Sequence, residues 1–140
     1  MNVLTAEEWV KTAKLMAITT MNTCDESIAI IDEAVDTFIK VFAKDPPTEQ
    51  QKSRLVALNQ AHGEAAVELV KVKVLVAKCF EDEEIWLAGN RQQQRRTTRM
   101  VLKMKRKVRA VADRIMSAHA ECKALKESIK AESDTENGHN

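Results

Sequence analysis

From Val101 to Ile129 the chain reads VLKMKRKVRAVADRIMSAHAECKALKESI. Val101, Met104, Val108, Val111, Ile115, Ala118, Cys122, Leu125 and Ile129 follow one another by alternating steps of three and four. Side chains at that spacing share one face of an α-helix and form a heptad seam. The pattern predicts a helix over about 91–131, opening after Gly89-Asn90, a stop followed by a cap.

Upstream the same rule recurs. Ala17, Met21, Cys24, Ile28, Ile31, Val35, Phe38 and Phe42 make a seam in a first helix expected over about 6–44. Thr5-Ala6-Glu7-Glu8 fits a capping box, in which the hydroxyl and the third-position carboxylate satisfy free backbone N–H groups. Ile30, Ile39 and Val41 are expected to widen the apolar face so that it meets two neighbours. Asp45-Pro46-Pro47-Thr48 ends this helix, because proline cannot continue it. Thr48, with Gln51 three residues on, caps a second helix expected over about 49–88. Its seam is Leu55, Leu58, His62, Ala65, Leu69, Val72, Val76 and Cys79, with Trp86 in phase. Gly63 costs about 1 kcal/mol against alanine in a helix, and marks a close contact or a kink.

Composition supports this reading. Of 140 residues 44% are hydrophobic, 31% charged and only 4% aromatic, with 3 Gly and 2 Pro. So few turn formers argue against an all-β fold, and the apolar content is too high for a disordered chain. No stretch approaches the roughly 18–20 uncharged apolar residues of a membrane span. The fold expected is all-α: an elongated antiparallel three-helix bundle of coiled-coil character, with four helices if Gly63 breaks the second. It forms one domain over 1–131, followed by a disordered polar tail over 132–140.

Catalytic signatures are missing. The chain has no glycine-rich phosphate loop, no nucleophile-elbow motif and no Cys-x-x-Cys or His-Glu-x-x-His spacing. Cys24, Cys79 and Cys122 are odd in number and widely spaced, which suits reduced core thiols rather than a disulfide framework. The register set by the two turns places His62 opposite position 30 of the first helix and 117 of the third. That brings His119, Glu33 and Cys122 near it, a donor set zinc could use. A polar residue inserted into the seam to fix register is the simpler reading of His62. No cofactor, metal or catalytic residue is expected.

Charge carries the functional signal. The net charge of +1 conceals −6 over residues 1–90, +10 over 91–130 and −3 over 131–140. Nine of the 19 residues from Arg91 to Arg109 are basic and none is acidic. With Val101 at heptad position a, Arg95, Arg96, Arg99, Leu102, Lys103, Arg106 and Arg109 take outward b, c and f positions. Lys105 and Lys107 flank the seam, and Met100 adds apolar area. Three roles compete for this stripe: balancing acids such as Glu81-Asp82-Glu83-Glu84, recognising an acidic protein surface or another copy, and holding phosphate on nucleic acid or an anionic membrane. The stripe lacks the aromatic residues that stack bases, and no helix-turn-helix or zinc-finger pattern occurs. The expected function is a non-enzymatic cytosolic or nuclear adaptor, scaffold or assembly subunit whose basic helix face recognises a protein partner. The alternative is a phosphate-backbone binder using the same stripe. The initial residues lack the basic and apolar regions of a signal peptide.

Overall fold

A computed structural model describes residues 5–81 and 91–138. The chain is all-α, with helices α1 (Ala6–Lys44), α2 (Glu49–Cys79) and α3 (Arg91–Gly138), and no strand among the described residues. No helix among those residues is long and apolar enough to cross a membrane.

Both predicted capping boxes form. Thr5 Oγ1 accepts from the Glu8 N–H at 3.2 Å, and Glu8 Oε2 accepts from the Thr5 N–H at 3.3 Å. At the second, the Gln51 N–H donates to Thr48 Oγ1 at 3.1 Å and the Thr48 N–H to Gln51 Oε1 at 3.0 Å. One turn into α1, Lys11 donates to Glu7 at 2.8 Å and holds that carboxyl below its ordinary value.

Four expectations are corrected. α2 runs through Gly63 unbroken, so the four-helix alternative fails. The local cost of glycine, about 1 kcal/mol, is outweighed by burial of Leu58, His62 and Ala65 on either side. α2 also ends earlier than Ala88: Phe80 and Glu81 form a turn, closed by a long 3.3 Å bond from the Phe80 N–H to the Val76 carbonyl. Trp86 and the Gly89-Asn90 stop lie outside the described residues. The helical backbone of α3 passes Ala131 and reaches Gly138, because nothing between Glu132 and Asn137 breaks a helix. Finally, Ile30 and Ile39 are 51% and 56% exposed and do not widen the apolar face of α1. Val41, half-buried, does flank the seam as expected, together with buried Ser27 and half-buried Ala34.

The described residues form two compact units. The first comprises those of Met1–Asp25 and Val67–Asp113. Its buried side chains are Val10, Ala13, Ala17, Met21 and Cys24 of α1, Leu69, Val72, Val76 and Cys79 of α2, Phe80, and Val101, Met104, Val108 and Val111 of α3. Thr97, one heptad before Met104, is buried too and extends the α3 seam by a polar residue. Asp25 and Lys73 join α1 to α2 at 2.7 Å.

The second unit comprises Glu26–Ala66 and the described residues of Arg114–Asn140. Ile31, Val35 and Phe38 of α1, Leu58 of α2, and Ala118, Cys122 and Leu125 of α3 form one cluster, with Ala34, Phe42, Leu55 and Ile129 packed against it. Each fully buried Leu or Ile contributes roughly 1.5–3 kcal/mol by leaving water. Polar links cross this unit: Arg54 to Glu121 at 2.9 Å, Arg114 to Glu64 at 3.3 Å and Gln51 to Glu132 at 2.9 Å. As α2 advances from Arg54 to Glu64, its α3 partner retreats from Glu121 to Arg114, so these helices are antiparallel.

Candidate functional site

The seam of α3 decides what its other faces can do. Val101 and Met104 are fully buried and Val108 nearly so, which turns the intervening residues to solvent. Arg95, Arg96, Arg99, Leu102, Lys103, Arg106 and Arg109 are all exposed, as are Lys105 and Lys107. Among the described residues, none of these cations has a carboxylate within the 4.0 Å of an ion pair. Glu81 is exposed, and Asp82, Glu83 and Glu84 lie outside the described residues.

The stripe residues do not all share one environment. Leu102, Arg106 and Arg109 line a groove of about 730 Å³ between α1 and α3, within the first unit. Its base is made by the buried side chains of Ala13, Ala17, Met104 and Val108, and its edges carry the exposed Met16 and Leu102. Small alanines on α1 leave the depression open, since a β-methyl fills little space. Thr20 and Ala112 close one end, and Lys105 joins the two arginines in the lining. The Lys105 ammonium stands 5.7 Å from the centroid of the Trp9 ring, a cation–π distance. Arg95 and Arg99 border a second, shallower depression with Gln94 and Thr98. Arg96 and Lys103 line neither.

The sequence reading missed Met16, Ala13, Ala17, Thr20 and Lys105 as parts of this surface. One signal for them was present: α1 carries no acidic residue from Trp9 to Cys24, and α3 none from Arg91 to Ala112. The two helices that border the groove are acid-free over the lengths that border it.

Elsewhere, His62 is buried, and its Nε2 lies 3.0 Å from Asp32 Oδ1 but off the N–H direction, so no hydrogen bond forms. The partner is two residues from the position that the turn register indicated. His62 and His119 belong to no group of three or more His, Cys, Asp or Glu placed to hold a metal ion among the described residues. Cys24, Cys79 and Cys122 are free and buried, and loss of water around them pushes each thiol above its ordinary 9.0. At Cys24 the neighbouring Asp25 pushes the same way and Lys73 opposes it. Such thiols are protonated near neutral pH, and a protonated thiol is a poor nucleophile.

No protein-family model matches the chain, and comparisons with curated proteins and with solved structures likewise returned no match.

Proposed function

We propose that this chain is a non-enzymatic helical adaptor or assembly subunit that recognises an acidic protein surface through the basic face of α3. The carrying observation is the run of exposed cations from Arg95 to Arg109, which have no ion-pair partner among the described residues. Elsewhere on the chain, cross-helix acids and bases do pair, so geometry does not forbid pairing in this fold. Exposed like charges repel, and a stripe left uncompensated is explained by a partner that supplies the opposite sign. Leu102, 46% exposed among these cations, adds an apolar contact that a phosphate backbone would not use. Three buried free thiols support a reducing compartment, the cytosol being the simplest.

Phosphate binding through the same stripe is the second reading, carried by nine basic and no acidic residues over 91–109. One experiment separates the two. The immobilised chain and its Arg99→Glu/Lys103→Glu/Arg106→Glu variant are exposed to extract from the cells that make the protein, with and without nuclease. Bound species are then compared by mass spectrometry. A protein retained only by the unaltered chain and insensitive to nuclease is the expected result. Nuclease-sensitive retention transfers the stripe to the phosphate reading. Equal retention by both chains overturns both readings.

A further inference from the structure

The structure points to a more specific partner than an acidic surface in general. We infer that the groove between α1 and α3 is a seat for an acidic amphipathic helix of another protein. This rests on the adaptor reading and adds to it both the place and the shape of the ligand.

Four features of the groove lead there. Its base and edges are apolar, so the ligand must bring apolar side chains to cover Met16, Leu102, Met104 and Val108. Its charged lining is of one sign, Lys105, Arg106 and Arg109. The bordering stretches of both helices hold no carboxylate, so the complementary charge has to come from the ligand. The lining spans Ala13 to Thr20 on α1 and Leu102 to Ala112 on α3, about 10–15 Å of axis at 1.5 Å per residue. That is two to three turns of a docked helix, and a seat between two helices is the usual place for a third. Lys105, Arg106 and Arg109 recur at helical spacing, which matches carboxylates placed at i and i+3 or i+4 on the ligand. Methionines at the base and edge adapt to differing apolar side chains. No strand occurs among the described residues, so no sheet edge invites an extended peptide there.

A second copy of this chain fits less well. Among the described residues, the acidic helix stretch Asp25–Asp36 offers Ile30 as its one large exposed apolar side chain. A single isoleucine leaves most of an apolar groove of about 730 Å³ uncovered.

The test is a fluorescence-anisotropy titration of the full chain at about 150 mM salt, where long-range attraction is screened. The probe is a synthetic capped peptide of about four turns with leucines on one face and glutamates on its flanks. A scrambled peptide of the same composition, duplex DNA and phosphatidylserine vesicles serve as comparison ligands. Saturable binding of the amphipathic peptide is expected, at least about tenfold tighter than the scrambled one. Two variants locate it. Met16→Glu/Leu102→Glu places two carboxylates on the groove edges, at positions 58% and 46% exposed, where folding tolerates them. Arg96→Glu/Lys103→Glu removes more positive charge but touches no groove residue. The first is expected to weaken the peptide by about tenfold or more, and the second by less. Thermal unfolding checks that both variants fold, each being expected to keep a cooperative transition.

Equally tight binding of the scrambled peptide, or binding weakened more by Arg96→Glu/Lys103→Glu than by the groove pair, overturns the groove seat. Tighter binding of DNA or vesicles than of peptide also overturns it. So does self-association of the chain that the peptide cannot displace and the groove pair abolishes, which gives the seat to a second copy. If the peptide fails while the capture experiment still yields a protein lost with Arg99→Glu/Lys103→Glu/Arg106→Glu, the groove seat falls and the adaptor reading stands.

Discussion

The two ends of α3 use the same chemistry for opposite purposes. From Arg114 onward three charged side chains are tied into the fold: Arg114 meets Glu64, Glu121 meets Arg54, and Glu132 accepts from the buried amide of Gln51. From Arg95 to Arg109 the cations have no ion-pair partner among the described residues, Lys105 standing only over the Trp9 ring, and acids are missing from the neighbouring stretch of α1 as well. Both ends bury an equally regular seam. The difference lies in composition outside the seam, and it teaches that seam and surface of one helix can be set independently. The first fixes the fold; the second determines what the fold presents.

The largest effect should come from what the two ends share. Leu125→Ala and Met104→Ala each remove a side chain with no solvent exposure, one from each unit. Each is expected to cost about 2–5 kcal/mol, read as a fall in Tm by circular dichroism. A much smaller loss at Met104 would mean that its unit is packed more loosely than its burial implies.

Gly63→Ala should stabilise by about 1 kcal/mol. An added β-carbon there meets nothing within 4 Å, so only the helix-propensity gain remains. Urea unfolding would measure it, and a loss of stability would show that a neighbour needs the space.

The paired end can be tested against the unpaired one. A double-mutant cycle on Arg54 and Glu121, both partly exposed, should give a coupling of about 0.5 kcal/mol. The stripe reversal Arg99→Glu/Lys103→Glu/Arg106→Glu should leave stability within about 0.5 kcal/mol, or raise it by relieving repulsion. A clear fall in Tm would mean that the stripe is balanced from within, and the comparison would break.

The thiols set a dependence on pH. Each has a raised pKa in the folded chain, so above the ordinary value of 9.0 the unfolded chain loses protons that the folded one keeps. The stability they confer is complete below that pH and declines as pH rises through the folded values. The Cys24→Ala/Cys79→Ala/Cys122→Ala chain should therefore lose less Tm between neutral pH and pH 10 than the unaltered chain.

Seams and caps were legible because each is local. A three-four alternation needs only one helix to be read, and a Thr with Glu or Gln three residues on needs only one turn. The α1 register opposite His62 was nearly legible too, since the short Asp45-Pro46-Pro47-Thr48 connection fixes it to within a couple of residues. Ile30 and Ile39 were misread because periodicity gives the direction of a buried face but not its width. Width depends on where the neighbouring helices sit, and there α1 uses Ser27, Ala34 and Val41. The groove was hidden for the same reason. Ala17 looks like an ordinary seam residue until α3 is placed beside it, when its small size, with that of Ala13 one turn earlier, becomes an opening. Only the absence of acids along both helices announced it beforehand.

The buried thiols also give the chain its own clocks. Protonated and out of solvent, each is silent to an alkylating reagent until the helix around it opens. Cys24 and Cys79 time such openings in one unit and Cys122 in the other. Labelling rates in native buffer would thus report whether the two units breathe at a common rate, with no foreign probe attached.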